Sequence, residues 1–293
     1  MSFELYFFRP KSAPLSDDTI NAYLDAKIPL PPGQTPQDGA WHYGNIHTGV
    51  YFSLYRNHAS EKMHQDYIGF SDTGIMMELN YVRPDFFGRE AFIFVKQMTD
   101  ELGLYINDPR GIIDYPVPCN STLLFEGWQQ MNRKASLHFF DVHATTYLAP
   151  ELSDKLWGFN VTRPLLQAEL GSAYYVPQIM LFKDLHTHEP IRLAAWLAPN
   201  AAVFPQVDYV IVNRRVKNWL GAVKEETGII SYDQLIMILG DFLTRVNGTD
   251  AYVLLPQYAP DVARLIEKIP LDTAFNTRMV LANMSQVSNY KPL

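Results

Sequence analysis

"GIMMELNYVRPDFFGREAFIFVKQMTDELGLYI", residues 74–106, decides the fold. Phe87, Ala91, Phe94, Val95, Met98 and Leu102 recur at helical spacing and give one apolar face. Pro84 suits the first helical position, Asp85 suits the positive helix end, and Gly103 suits the stop. The residues before this helix, 74–81, alternate as a strand does, and Leu104–Ile106 read as another short strand. Upstream, "SDTG" (71–74) has the residues of a hairpin turn, so 67–71 and 74–81 are expected to pair. Thr48–Tyr55 and Phe3–Phe8 are further strands. Between them Ser16 caps a helix with Asp17 and Asp18 in its first turn and Ile20, Tyr23 and Leu24 on one face. Residues 27–39, with four prolines and two glycines, form a loop. The order over residues 3–107 is β-α-β-β-α-β, the ferredoxin-like split βαβ arrangement.

Residues 111–150 read as a connector between this first unit, 1–110, and a second, 151–293. In the second, "AYYVPQIMLF", "IRLAAWLA", "VDYVIVNRR" and "AYVLLP" are strands. Ser231 and Gln234 match a capping box ahead of Leu235, Ile238, Leu239, Phe242 and Val246, and Pro260 opens a last helix. Each half mixes helices with hairpins, which predicts an α+β class with mainly antiparallel sheet rather than a doubly wound parallel one.

The chain has 293 residues, 47% of them hydrophobic and 19% charged, enough for a sizeable core. Its net charge is −7 and no run of Lys or Arg stands out. Phosphate neutralisation dominates nucleic-acid affinity, so a nucleic-acid partner is not expected, whereas a basic protein is electrostatically favoured. No stretch reaches the roughly 18 apolar residues of a membrane helix. "MSFELYFFRPKS" has its positive charges after the apolar run, unlike a signal peptide, and a cytoplasmic location is the expectation. Cys119 is the only cysteine, so neither an intrachain disulfide nor a cysteine cage for zinc is possible.

Motifs for chemistry are scarce. There is no glycine-rich phosphate loop and no G-x-S-x-G nucleophile elbow. Cys119 lacks a local base and reads as an inert thiol. Glu78 sits alone within a strand, Asp85 and Glu90 are accounted for by the helix dipole, and "KEE" (224–226) reads as a solvated stretch. His42 and His47, five apart, face opposite ways on a strand, and His58 and His64 lie in a polar loop. His138, Asp141 and His143 form a loose cluster. The best ligand spacing is in "FKDLHTHEPIR" (182–192). On a strand, Asp184, His186 and His188 would point one way, a set suited to zinc or to an iron facial triad. The same stretch separates two strands and ends in Pro190, so it also reads as an exposed hairpin tip, the reading preferred here. No cofactor is expected.

"NYVRPDFFGREA" surrounds two adjacent phenylalanines with Arg83, Asp85 and Arg89. Either Phe86 and Phe87 pack on two different partners within the fold, or Phe86 is exposed beside arginine as interfaces favour. The opening "SFELYFFRP" together with residues 76–109 resembles a family of bacterial proteins that begin with an aromatic D/E-L-Y-F strand and carry an N-Y-x-R-P-x-F-F helix start. The resemblance covers about a third of the chain. It implies a toxin-neutralising or other accessory role, without a catalytic residue. The expected function is therefore a non-enzymatic protein-binding factor, with Arg83, Asp85, Phe86 and Arg89 as candidate contacts. The alternative is a metal-assisted hydrolase using His186 and His188 with Asp184.

Overall fold

The computed structural model describes residues 1–13, 15–30, 39–56, 67–108, 113–141, 143–217, 223–246 and 250–292. His58 and His64 lie outside them. The chain divides into two compact units, Met1–Phe140 with Ser288–Leu293, and Asp141–Val287. The α+β class holds for both.

In the first unit, β1 (Ser2–Pro10) runs through the middle of a six-stranded sheet. Its neighbours are β2 (Ala40–Gly44), β3 (Tyr51–Arg56), β4 (Phe70–Asn80), β5 (Tyr105–Asp108) and β6 (Ile113–Val117), in the order β2-β3-β4-β1-β5-β6. Every adjacent pair is antiparallel. Phe3, Leu5 and Phe7 on one side of β1 and Tyr6 and Phe8 on the other are all buried, as a central strand of aromatic and aliphatic residues requires.

The hairpin expected at "SDTG" is absent: β4 passes through it unbroken. Three residues of β4, Thr73–Ile75, stand opposite Phe7 alone, so the turn residues make a bulge. Gly74 takes the left-handed φ of 70°. Asp72 Oδ1 accepts from the Gly74 amide (2.8 Å), and the Thr73 hydroxyl donates to the Phe7 carbonyl (2.8 Å). These local side-chain-to-backbone bonds are the ones a turn uses, which is why the sequence pattern does not separate the two.

Helix α1 (Asp17–Lys27) is capped by Ser16, whose hydroxyl accepts from the Thr19 amide, and buries Ile20 and Leu24. Helix α2 (Phe86–Leu102) ends at Gly103 with φ 65°, as its sequence predicts. The expected connector, 111–150, instead carries β6 and α3 (Ser121–His138), and both belong to the first unit. Asn120 caps α3 through the Leu123 amide. Helices α2 and α3 approach closely at Gly88, where a Cβ would lie 2.4 Å from the Trp128 ring. Glycine is required there by the buried indole.

The second unit adds the short strand β7 (Thr146–Tyr147) and α4 (Pro150–Leu170). A five-stranded sheet follows, in the order β12-β11-β9-β8-β15. Its strands are β8 (Ile179–Asp184), β9 (Pro190–Leu197), β11 (Tyr209–Lys217), β12 (Val223–Ser231) and β15 (Met279–Leu281). Its pairs are antiparallel except β9 with β11. A smaller antiparallel sheet, β10-β14-β13, joins β10 (Ala202–Phe204), β14 (Tyr252–Leu254) and β13 (Leu243–Arg245). The Ser231 cap opens α5, which ends at Leu239 rather than reaching Val246. Gly240 and Asp241 are poor helix residues, and Leu243 leaves the helix to pair with Leu254. Helix α6 (Ala259–Ile266) buries Val262 and Ile266. Among the described residues no helix is long and apolar enough to cross a membrane.

Candidate functional site

The start of α2 gathers the residues singled out in "NYVRPDFFGREA", but it turns them inward. Phe86 and Phe87 are both fully buried, so Phe86 offers no surface to a partner. Pro84 lies one residue before the helix cap, and Asp85, though at the cap position, makes no side-chain cap. Its carboxylate is buried and spent on tertiary bonds. Oδ2 accepts from Gln129 Nε2 (2.8 Å) and the Tyr290 hydroxyl (2.6 Å), and Oδ1 accepts from Asn132 Nδ2 (3.2 Å). The Asp85 amide donates to Asn289 Oδ1 (2.5 Å). Asn132, without exposed surface, accepts from the amides of Val82 and Arg83 and donates to the Arg83 carbonyl. That pins Val82 at φ 59°, an unfavourable conformation for a β-branched residue. Arg83 lies over the Tyr51 ring and Arg89 over the Phe125 ring, each about 5.5 Å from the centroid. Glu90 is buried too, accepting from the Tyr43 hydroxyl (2.9 Å) and Asn45 Nδ2 (2.7 Å), so more than the helix dipole explains it.

These buried carboxylates raise the tyrosines that face them. Burial first, then the hydrogen bond and charge of Asp85, hold the Tyr290 phenol above its usual range. Burial, then Glu90, do the same for Tyr43. A folded-state rise means the unfolded chain releases these protons first, near pH 10, while the fold still keeps them. Stability from these groups is full below pH 10 and falls above it. Tyr290→Phe is expected to make the loss of stability between pH 9.5 and about 11 shallower in denaturant titrations. An unchanged slope would remove Tyr290 from the account.

The paired histidines sit at the tip between β8 and β9. His186 is exposed, and His188 is half-buried with a φ of 61°. They are in a turn, not on a strand, so the alternation that would align them with Asp184 does not apply. The Asp184 carboxylate curls back to accept the amides of His186 and Thr187 (2.8 Å each), and these bonds hold it below the usual carboxylate range. Asp141 is held down in the same way, first by the amide of His143. The His143 ring does approach His188, with centroids 6.1 Å apart. Among the described residues, however, no three His, Cys, Asp or Glu side chains are placed to hold a metal ion.

Cys119 is buried, which pushes its thiol up to about 11 and disfavours the nucleophilic thiolate. One arrangement escapes local reading. Glu78 on β4 stands directly opposite Glu4 on β1 and opposite Ser53 on β3, and Ser53 Oγ lies 2.8 Å from His42 Nδ1. Strand pairing alone creates this polar row across four strands. The "KEE" stretch likewise lies in β12, where Glu226 meets the buried Arg214 (2.5 Å).

A cleft of about 330 Å³ opens in the first unit between β1, the ends of β5 and β6, and α3. Phe3, Tyr81, Ile113, Leu123, Leu124 and Met131 supply most of its wall, and Glu4 and Asp108 are its carboxylates. The reason it exists is the phase of α3. Leu124, Trp128 and Ala135 face inward, which leaves Leu123, Met131 and Leu137 exposed, with Phe139 just beyond the helix. Edge strand β6 adds exposed Tyr115 and Val117. No known family matches the chain, and neither a curated protein nor a solved structure is significantly similar to it.

Proposed function

We propose that the chain is a non-enzymatic protein-binding factor for a basic partner, and that its first unit is a ferredoxin-like split βαβ with an extra strand at each edge. The strand order supports the second part. Across the sheet the four lie as β3-β4-β1-β5, the second, third, first and fourth of them along the chain, all antiparallel, with β2 and β6 outside them. The observation that carries the first part is the exposure of Leu123, Met131, Leu137 and Phe139 along α3, interleaved with polar Gln130 and Lys134, beside a cleft bearing two carboxylates. Contiguous exposed apolar surface rimmed by polar groups is where partners dock, and a negative chain draws a positive one. The start of α2, with Arg83, Asp85 and Arg89 around buried Phe86, supports that surface from within. The toxin-neutralising role implied by the family resemblance is one form this function would take. Photocrosslinking from position 137, read by mass spectrometry, tests the proposal. One reproducible partner of net positive charge, lost in Leu123→Asp and weakened by salt, is expected; no reproducible partner would overturn it.

One observation favours the alternative, a metal-assisted hydrolase at His186 and His188. His188 Nδ1 is buried without a hydrogen-bond partner, and His143 is its aromatic neighbour. Elemental analysis of the purified protein decides: stoichiometric zinc or iron lost in His188→Ala would establish it, and no metal would dispose of it.

A further inference from the structure

Strand β12 is one edge of the five-stranded sheet in the second unit. Ile229 exchanges two main-chain hydrogen bonds with Asp272 (3.0 Å each), so its amide and carbonyl point away from β11. Alternation turns the amides and carbonyls of Val223, Glu225 and Thr227 the same way. Among the described residues these groups have no hydrogen-bond partner. Asp272 seals the strand at Ile229, so the open edge is residues 223–227, all exposed except the half-buried Glu226.

A row of unpaired main-chain groups is a template for another strand, and charge decides which strand it takes. Lys224 is exposed and has no ion pair among the described residues. Glu226 receives both Arg214 bonds on Oε2, which leaves Oε1 without one. Two residues apart on a strand, this cation and this carboxylate oxygen share a face. A second β12, laid antiparallel about a two-fold axis at Glu225, puts Lys224 opposite Glu226 on both sides of the axis. The same register pairs Val223 with Thr227 and Glu225 with its own copy, so every open amide meets an open carbonyl. An axis at Lys224 or at Glu226 would instead set like charges directly opposite each other. On the axis itself, each Glu225 has Arg215 of its own β11 at 3.5 Å, which offsets the meeting of the two carboxylates. We propose that β12 is a self-association edge, through which two copies of this chain pair β12 to β12 about Glu225 and join their five-stranded sheets into one. This does not depend on the protein-binding reading, which rests on the exposed face of α3 in the first unit.

Sedimentation velocity over a concentration series on the intact protein tests this. The wild type is expected to pass reversibly from monomer to dimer below roughly millimolar concentration. Thr227→Pro removes an amide that the monomer leaves unbonded, so it should raise the dissociation constant at least tenfold while unfolding in urea as the wild type does. Lys224→Glu should weaken the dimer as much by placing carboxylate opposite carboxylate. If Thr227→Pro does not fold, Lys224→Glu, an exposed substitution, carries the test. Glu225→Cys reads the register. Directly opposed residues of a hydrogen-bonded pair stand about 5.5 Å apart at Cα, within the reach of a disulfide, so mild oxidation should link two copies at position 225. Val223→Cys, which faces Thr227 of the second copy, should not link, and the wild type, whose Cys119 is buried, is the control. A wild type that stays monomeric throughout, a dimer that Lys224→Glu leaves intact, or linkage at 223 but not at 225 overturns the proposal. A dimer that survives Leu123→Asp while partner crosslinking is lost would separate this edge from the α3 interface.

Discussion

Asn132→Ala is expected to cost the first unit about 3–5 kcal/mol, because it strips four hydrogen bonds from a side chain with no exposed surface. The alanine leaves the amides of Val82 and Arg83, the Arg83 carbonyl and Asp85 Oδ1 each short of a partner. An orphaned buried group costs about 1–3 kcal/mol, and water reaching the half-buried Val82–Arg83 segment offsets part of the sum. Relaxation of Val82 from its left-handed φ returns a little more. Urea unfolding followed by tryptophan fluorescence measures the effect, with Trp128 as a reporter in the first unit, since that indole packs on Gly88 and stacks near Tyr81. Asn132→Asp keeps the shape but places a second carboxylate against Asp85, so it should be as damaging at neutral pH. A loss under about 1 kcal/mol for alanine would show that solvent replaces these bonds and that the start of α2 is not held through Asn132.

Arg214→Ala is expected to have an effect of similar size in the second unit, about 3–5 kcal/mol. Arg214 is 7% exposed, and its guanidinium uses both sides of its fork. Nε and Nη2 donate to Glu226 Oε2 (2.8 and 2.5 Å), while Nη1 donates to the carbonyls of Ile266 and Ile269, the latter at 2.7 Å. Ile266 is the last residue of α6, so the cation sits where the helix carbonyls lack partners and its dipole is negative. Removing it strands Glu226 and the helix end together. Arg214→Met with Glu226→Leu should recover much of the loss, because an apolar pair replaces an ion pair more cheaply than an unpaired charge is borne. A double variant no better than the single would locate the cost in the helix carbonyls instead. Thermal unfolding of the wild type, Arg214→Met, Glu226→Leu and the double variant gives the coupling directly.

Helical periodicity and end signals were legible without a structure. Ser16, Gly103 and Ser231 mark helix ends that the fold keeps, and β8 and β9 overlap the strand-like runs 173–182 and 191–198, although β8 begins only at Ile179. Misreadings occurred where one residue pattern serves two geometries. The Asp-Thr-Gly of a turn also makes a bulge, and only pairing with Phe7 decides between them. Strand β2 is five residues long with Trp41 its one buried side chain, too short to show alternation. The candidate site was less legible because its bonds span the sequence. Asp85 reads as a dipole residue until Gln129, Asn132 and Tyr290, 44 to 205 positions away, reach it. Glu226 reads as solvated until Arg214 pairs with it across two strands. Leu123 and Met131 are unremarkable helix residues until burial of Leu124 and Trp128 fixes which side of α3 meets solvent.

The contact of Asn289 and Tyr290 with Asp85 bears on how the chain is made. The first unit comprises residues 1–140 and 288–293, so the whole second unit is synthesised before the first receives its last donors. At about 5–20 residues per second, residues 141–287 take on the order of ten to thirty seconds to emerge. Throughout that interval Asp85 has Gln129 and Asn132 but not the Tyr290 hydroxyl, and its amide lacks Asn289. The nascent first unit therefore passes through a long-lived unfinished form, and it closes only after the ribosome has delivered the segment that the second unit delays.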